Sequence, residues 1–403
     1  MIAAVLIRKA YRYRAYPTPA QQERLVAWES ALRWLWNIAN EQRLAGTHRT
    51  DKRYPTAFDQ INQLTELRAE LPWLADVPRN VCAQLLVELD KAWQRCFKKL
   101  AHAPRWKRKG RDFLGMTEPH PRAWSLNGVA LRFPKLGAMR LVLHRPLEGK
   151  PKTCTLKREG DQWLASVLCE VEVADPLPRP DPLVALDRGI THLLADSDGK
   201  LTPNPRFYER AMKRLAHAQR VVDRRKKGSK NREKAKLRVT RLHRKVRRQR
   251  EHVLHELSAA YAKSHGTVVV EKLNVKGLLK GRCSRSIASA GWSSFAAMLR
   301  YKLAWSGGTL VEVPAHYSSQ TCSACGCIDA LSRKREAFRC TGCGHVDHAD
   351  LNAAKILKSR ANRSALPVEG LVLEAARRSR KAKVTLRVPR SRPTQSSGLL
   401  GRG

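Results

Sequence analysis

Acidic residues are scarce in this chain of 403 residues. Only 35 Asp and Glu stand against 78 Lys and Arg, which gives a formal net charge of +43. Because so much like charge opposes compaction, the composition indicates a polyanionic partner, most simply a nucleic acid. A ribosome-associated protein or a protein that binds anionic membranes would have a similar composition.

Long hydrophobic runs are also missing. No apolar stretch approaches the roughly 20 residues that a membrane-spanning helix needs, and no signal peptide precedes a cleavage site. We therefore expect no membrane partner. The hydrophobic content of 42% is nevertheless enough for real cores, and the length allows two to four domains.

Most of the ten cysteines are isolated, which is typical of small buried residues in a reducing cytosol. The exception is two Cys-x-x-Cys pairs, Cys322/Cys325 and Cys340/Cys343, each followed by Gly and separated by 14 residues. Four thiolates at this spacing predict a closed tetrahedral zinc site that shapes the chain and does no chemistry. Cys327 is a fifth candidate ligand, although its spacing of one residue from Cys325 fits a knuckle less well.

Three carboxylates occupy comparable places at the ends of predicted elements. Asp187 and Glu271 end predicted buried strands, and Asp350 opens a predicted helix directly after the second cysteine pair. Converging carboxylates suit Mg²⁺, and two such ions can support hydrolysis of a phosphodiester. The order strand Asp, strand Glu, helix Asp fits an RNase H-like sheet. Each acid taken singly could instead be a solvated or capping residue.

Other polar residues compete for roles near these acids. Asp347 is an alternative to Asp350, but we expect it to cap the helix. Glu312, within a predicted strand, is a candidate for a further acid. His345 and His348 could be metal ligands, although the four cysteines favour reading them as surface or supporting residues.

The first half of the chain changes character along its length. Residues 7–16 alternate aromatic or small residues with basic ones, which predicts a strand with one cationic face. Thr18 and Pro19 then begin a helix with a capping box. Residues 122–175 read as short strands of a small antiparallel barrel that the first strand could join, and a proline-rich linker follows them.

A strongly basic segment lies in the second half. Residues 210–250 contain 19 Lys and Arg against two acids, with an apolar stripe at helical spacing. The pattern predicts a long helical hairpin with one packed face and a surface for phosphate backbones. A solvated charged face is the ordinary alternative.

The order of these motifs closely resembles the TnpB family, the OrfB proteins of bacterial insertion sequences. The resemblance rests on LDRGI around Asp187, VVVEKL around Glu271, the segment from Tyr317 through both cysteine pairs, and DLNAA from Asp350. It implies an RNA-guided DNA endonuclease related to compact type V CRISPR effectors. Arg188 is a departure, because many relatives have an apolar residue there.

The resemblance also implies a multidomain α+β architecture. It consists of a wedge-like β-barrel (1–20 and 116–178), a helical recognition lobe (21–115), an RNase H-like RuvC nuclease domain (181–314 and 344–360, with the basic hairpin at about 205–262), a zinc ribbon (315–343) and a basic, disordered tail (361–403).

By the same resemblance, Asp187, Glu271 and Asp350 are the catalytic ligands of two Mg²⁺ or Mn²⁺ ions, and the four paired cysteines bind structural Zn²⁺. The implied partners are a guide RNA transcribed from the end of the element and double-stranded target DNA, with no small-molecule substrate. The implied location is the bacterial cytoplasm, at the nucleoid. The alternatives are a nuclease-inactive guide-directed binder, a sequence-specific DNA-binding regulator of transposition and a DDE-type transposase.

Overall fold

The computed structural model describes residues 4–48, 54–281 and 283–364. The architecture is mixed α/β. The chain divides into two compact units, one of Met1–Leu177 with Phe207–Glu251 and one of Pro178–Arg206 with His252–Gly403. Among the described residues, none of the helices combines the length and the apolar character needed to span a bilayer.

The first unit begins with a long strand and a group of helices. These are β1 (Ala4–Tyr16), α1 (Pro19–Thr47), α2 (Ala57–Glu70), α3 (Pro72–Ala75) and α4 (Arg79–Phe97). The predicted capping box of α1 is confirmed, because the Thr18 side chain accepts from the Gln21 N–H and the Gln21 side chain accepts from the Thr18 N–H. This exchange satisfies two main-chain donors at the start of the helix.

An antiparallel sheet forms the rest of the N-terminal part. Its further strands are β2 (Met116–Glu118), β3 (Ser125–Asn127), β4 (Ala130–Phe133), β5 (Gly137–Val142), β6 (Lys150–Glu159) and β7 (Gln162–Ala174). The strand order is β2-β6-β7-β1-β5-β4-β3. The first strand therefore joins this sheet, as predicted, and pairs with both β7 and β5. Closure of the sheet into a barrel stays a prediction.

Two helices occupy the predicted basic hairpin, α5 (Phe207–Arg224) and α6 (Lys230–Ser264). Within the first unit, α6 is held to the turn between β6 and β7 by ion pairs. Arg244 lies 2.7 Å from Asp161, and Arg241 lies 2.8 Å from the other oxygen of the same carboxylate. Both arginines thus fix the helix to the turn.

The second unit contains a five-stranded sheet. Its elements are β8 (Leu183–Asp187), β9 (His192–Asp196), β10 (Leu201–Pro203), β11 (Thr267–Lys272), α7 (Val275–Leu278), α8 (Ser284–Ala290), α9 (Trp292–Trp305) and β12 (Thr309–Pro314). The order is β10-β9-β8-β11-β12. Strands β8, β11 and β12 are parallel, whereas β9 and β10 are antiparallel to their neighbours.

Both faces of this sheet are covered, as is usual for parallel strands. Alternation along β8 and β11 presents Val184 and Val268 to a cluster that includes Leu299 of α9. The opposite face presents Ala185, which packs in a cluster with Leu357 of the last helix, α10 (Ala349–Ser364).

A small three-stranded antiparallel sheet precedes α10. It consists of β13 (Arg333–Lys334), β14 (Ala337–Arg339) and β15 (Val346–His348), after a 3-10 turn at Ala330–Ser332. α10 ends at Ser364, and the rest of the predicted basic tail lies outside the described residues.

Candidate functional site

Two of the predicted acids lie at the same edge of the parallel sheet. Asp187 is the last residue of β8, and Glu271 is the penultimate residue of β11. The parallel register pairs Leu186 with Val270, so the next residues along the two strands lie side by side. The carboxyl ends of parallel strands are a usual place for binding groups in open α/β sheets.

The third acid reaches this edge from α10. Asp350 stands in the first turn of that helix and is 7% exposed. Asp187 and Asp350 line one cleft of about 920 Å³, together with Gly189, Trp292 and the segment 333–337 of the small sheet. The structure thus brings residues from β8 and α10, more than 160 positions apart in the sequence, to one cavity.

The buried environment shifts the ionisation of the two strand acids, Asp187 and Glu271. Burial raises the pKa of Asp187 to about 8, and the negative charges of Glu271 and Asp350 contribute to the same shift. Burial also raises the pKa of Glu271, although the nearby Arg188 guanidinium opposes the shift. Mutual repulsion of buried carboxylates is the condition that a bound cation relieves.

Arg188 is built into this arrangement. It is 6% exposed, and its guanidinium Nε lies 3.7 Å from Oε1 of Glu271. The same group donates to the main-chain carbonyls of Glu271 and Trp292. It therefore ties β8 to β11 and to the start of α9 while it places one positive charge beside the acids.

The two oxygens of Asp350 face different partners. Oδ1 accepts a hydrogen bond of 2.9 Å from Arg333, and Oδ2 lies 3.8 Å from Nδ1 of His192. Within the described residues, the compact set of possible metal ligands that contains Asp350 consists of Asp350, His192 and His348. Their ligand atoms all lie within 4.8 Å of one another.

The residues that compete with Asp350 have other partners. The predicted capping role of Asp347 is wrong: its carboxylate accepts from the His348 N–H and lies 2.7 Å from Lys355 Nζ. His348 takes that role, because its Nδ1 accepts from the N–H of Asp350 at 3.2 Å.

Glu312 is the remaining candidate for a further acid. It lies on β12 at the end of the sheet order and forms a 2.8 Å ion pair with Arg300. Both side chains are largely exposed, 38% for Glu312 and 60% for Arg300. This carboxylate is therefore already paired with a surface cation.

The four paired cysteines gather into one group with all sulfur atoms within 4.8 Å of one another. Cys322 and Cys343 Sγ are 3.7 Å apart, and Cys325 and Cys340 Sγ are 3.6 Å apart. A tetrahedral site with Zn–S bonds of about 2.3 Å requires S···S distances of about 3.8 Å, so the thiols fit zinc. Cys327 is not a member of the group.

The electrostatics of the four-cysteine group differ from one thiol to the next: a hydrogen bond with the His345 main chain lowers the pKa of Cys343, but hydrogen bonding with Cys325 and burial raise it to about 12, whereas Cys340 favours the thiolate. The main-chain N–H of Cys343 donates to the sulfur of Cys340, and such donors lower the pKa of Cys340 to about 6. A thiol that ionises below neutral pH is ready to bind a metal. Burial instead raises the pKa of Cys327, which is a poorer donor in that state.

Asn352 connects the cysteine ribbon to the helix of Asp350. Its fully buried side chain accepts from the N–H of Ser323 at 2.9 Å and donates to the carbonyl of Thr321 at 2.7 Å. The ribbon and the first turn of α10 are therefore held in a fixed relation. A metal that orders the knuckle would also position Asp350.

Sequence reasoning missed two residues beside Asp350, His192 and Arg333. His192 follows Asp187 by five positions, and the hairpin between β8 and β9 folds it back toward the same edge. Gly189 in the sequence could have predicted the tight turn that brings His192 back toward Asp187. Arg333 belongs to a basic triplet in the ribbon, and nothing local distinguishes it from its neighbours.

Comparison with known families matches three segments of the chain. A profile described as "Probable transposase" matches residues 166–282, and one described as "Cas12f1-like, TNB domain" matches residues 292–357. A third, described as "Helix-turn-helix domain", matches residues 1–45. In that last segment the described residues form a strand and one helix.

Known proteins are similar over most of the chain. A Streptomyces pristinaespiralis protein named "Putative RNA-guided DNA endonuclease" is 33% identical over 357 residues, which is 87% of this chain and 88% of that protein. The Escherichia coli (strain K12) protein "Putative RNA-guided DNA endonuclease InsQ" is 29% identical over 86% of this chain and 90% of its own length.

Among solved structures, the cryo-EM structure of the Cas12f1-sgRNA-target DNA complex matches with 15% identity. It covers 87% of this chain and 98% of that chain with a TM-score of 0.35, which is too low to establish a shared fold.

The family assignment rests on the relatives found by sequence comparison. On their identity and coverage, this chain belongs to the TnpB (OrfB) family, whose relatives carry the name RNA-guided DNA endonuclease.

Proposed function

We propose that the protein is an RNA-guided DNA endonuclease encoded by an insertion sequence, and that it hydrolyses DNA phosphodiesters at the edge formed by Asp187, Glu271 and Asp350. Membership of the family supports the guide and the DNA target. The observation that carries the site is that acids from β8, β11 and α10 meet at one edge of the sheet, where the charge of Asp350 contributes to the raised pKa values of Asp187 and Glu271.

The domain assignment belongs to the same proposal. The antiparallel sheet that includes β1 corresponds to a wedge domain, α1 to α4 to a recognition lobe, and the five-stranded sheet with α10 to a RuvC nuclease domain. The strand order β10-β9-β8-β11-β12, antiparallel on one side and parallel on the other, supports the RNase H-like part of this assignment.

The donor set fits Mg²⁺ or Mn²⁺. Carboxylate oxygens are the ligands that these ions prefer, and the raised pKa values of Asp187 and Glu271 indicate negative charge that lacks full compensation. When bound, two such ions supply activation of water and stabilisation of the leaving oxygen. Asp187, Glu271 and Asp350 would hold the ions.

The chain itself would bind and orient the DNA strand. Arg333, Lys334 and Arg335 line the cleft beside Asp187 and Asp350, and they can pair with the phosphates of a strand that enters it. Arg333 now hydrogen bonds Oδ1 of Asp350, so full use of that oxygen by a metal requires the guanidinium to turn toward the phosphate. Arg188 stays in place, because main-chain carbonyls hold it.

Recognition of the guide would depend on charge more than on base contacts. Base pairing between guide and target carries sequence specificity in RNA-guided nucleases, and the protein holds the heteroduplex by its backbone. The 19 cations of residues 210–250, on α5, α6 and the turn that joins them, suit such a grip.

The test begins with purification of the full chain from its native locus and sequencing of the RNA that remains bound. The reconstituted complex is then incubated with a plasmid library of matched targets and Mg²⁺. Cleavage next to a guide-matched sequence is the expected result. Bound RNA with target binding but no cleavage would indicate a guide-directed regulator, and DNA binding without RNA would indicate a sequence-specific one.

The four-cysteine site is proposed to hold structural Zn²⁺. Its thiols have the spacing of a tetrahedral ion, and Asn352 couples the ribbon to the helix of Asp350. Zinc would therefore act on cleavage only indirectly, by fixing the position of this acid.

A further inference from the structure

A group of different chemistry adjoins the three acids. It consists of His192 at the start of β9, His348 before α10, and Asp350, with one possible ligand atom of each within 4.8 Å of the others. The imidazole rings lie edge to face, with centroids 5.1 Å apart. We propose that these three residues bind a transition-metal ion such as Mn²⁺ or Zn²⁺, at a position separate from an all-oxygen Mg²⁺ site.

Two buried nitrogen atoms carry this proposal. Nδ1 of His192 and Nε2 of His348 are shielded from solvent and have no hydrogen-bond partner among the described residues. Buried polar atoms without a partner are costly and rare in folded proteins. A metal ion between the rings would provide the missing partner for both nitrogens at once.

Asp350 can bind an ion at this position and keep its hydrogen bond with Arg333. Its Oδ2 faces His192 at 3.8 Å, whereas Oδ1 accepts from Arg333. An ion bound by Oδ2 and the two rings therefore leaves the bond to Arg333 intact. An ion bound by Asp350 through Oδ1 must instead displace that guanidinium.

Gly189 keeps the position accessible. A Cβ there would lie 2.5 Å from the main-chain oxygen of His192 and 3.6 Å from Oδ2 of Asp350. Only a residue without a side chain allows β9 to return this close to Asp350. The close turn is thus what places His192 beside the acid.

Metal binding by His348 requires a change in which ring nitrogen carries the proton. Nδ1 accepts from the Asp350 N–H at 3.2 Å, so the proton of the neutral ring is on Nε2. Metal binding through Nε2 requires this proton to move to Nδ1, so Nδ1 no longer accepts from the Asp350 N–H and the hydrogen bond of 3.2 Å at the start of α10 is lost. Coordination by two imidazoles and a carboxylate outweighs a single bond of this length for ions that favour nitrogen ligands.

The donor set predicts selectivity. Imidazole suits zinc and its neighbours among the transition metals, whereas Mg²⁺ takes oxygen ligands and keeps its waters. We therefore expect Zn²⁺ to bind this position most tightly, Mn²⁺ to bind it less tightly, and Mg²⁺ to compete only weakly. Because the position shares Asp350 with the proposed nuclease site, Zn²⁺ there would also alter Mg²⁺-supported cleavage.

The experiment measures metal binding to the protein in the absence of DNA. Full-length, zinc-loaded protein in excess Mg²⁺, which occupies the all-oxygen position, receives less than one equivalent of Mn²⁺, and electron spin echo envelope modulation detects nitrogen bound to the Mn²⁺ ion. The expected spectrum shows ¹⁴N coupling that changes to the ¹⁵N pattern when the histidines are labelled. His192→Gln should remove one coupling and weaken Mn²⁺ binding about tenfold, and one equivalent of added Zn²⁺ should displace the signal.

His345→Gln is the matched control, since His345 lies near Asp347 and outside the group. It should leave the spectrum unchanged. Absence of nitrogen coupling in the labelled wild-type protein would overturn the proposal even if the variants do not fold, and so would coupling that survives both His192→Gln and His348→Gln. Asp187→Asn should abolish cleavage yet keep the coupling, so the outcome does not depend on nuclease activity.

Discussion

The buried guanidinium of Arg188 lies 3.7 Å from the carboxylate of Glu271 and also hydrogen bonds the main-chain carbonyl of that residue. Asp187, the last residue of β8, and Arg188, the residue after it, therefore have opposite electrostatic effects: an ionised Asp187 adds negative charge to the edge, and Arg188 offsets it. An apolar residue at this position would leave the acids with more uncompensated charge and β11 with fewer ties to α9.

Replacement of Arg188 by Leu should destabilise the second unit by about 3 kcal/mol, because it leaves Glu271 buried without its guanidinium partner. Denaturation by urea, followed by the change in midpoint, measures the loss. Arg300→Leu is the matched control, since Arg300 pairs with Glu312 on the surface and should cost less than about 1 kcal/mol. Equal losses in the two variants would show that the burial of Arg188 has no special role.

Asp187→Asn, Glu271→Gln and Asp350→Asn should each reduce cleavage of a guide-matched plasmid at least about 10³-fold, because each removes a charged metal ligand. Bound RNA should remain at wild-type stoichiometry. Glu312→Gln is the control at a nearby strand and should cut normally. A variant of the first three that cuts as fast as wild type would place the chemistry elsewhere.

Cys340→Ser should lower the zinc content from one ion per chain to near zero and lower the melting temperature of the second unit. The physical reason is that binding energy of a structural zinc ion is folding energy. Elemental analysis and thermal unfolding measure both. Cys327→Ser should retain the zinc, and loss of zinc from this variant would instead identify Cys327 as a ligand.

The pH dependence of stability follows from Asp187. Its pKa in the folded protein is raised to about 8, above its ordinary value of 3.8, so the folded state binds more protons between these two values. Stability of the protein without added Mg²⁺ should therefore fall as pH rises through this range. Asp187→Asn lacks the group and should be more stable than wild type at pH 9, with a smaller difference at pH 5.

Melting temperatures in metal-depleted buffer that leaves the ribbon zinc in place test this expectation. A constant difference between Asp187→Asn and wild type across the range would mean that the carboxylate is ionised throughout. Since Mg²⁺ binding must release the proton, the apparent Mg²⁺ affinity of the wild type should also increase up to about pH 8.

Much of this molecule can be deduced from the chain alone, where the signals are local. Cysteine spacing predicts the four-thiol group, whose sulfur atoms the structure brings together. Apolar runs that end in Asp187 and Glu271 predict buried strands, and parallel strands place their carboxyl ends at one edge. The excess of Lys and Arg predicts an anionic partner independently of any fold.

The tertiary structure decided what depends on register and on the direction of single side chains. His348 rather than Asp347 caps α10, since a difference of one residue turns the side chain to another face. His192 and Arg333 meet Asp350 only because a tight hairpin and a cysteine ribbon return to the same helix. Contacts between distant segments follow from packing and not from sequence spacing. The three acids could therefore be predicted from local signals, whereas the residues that contact them could not.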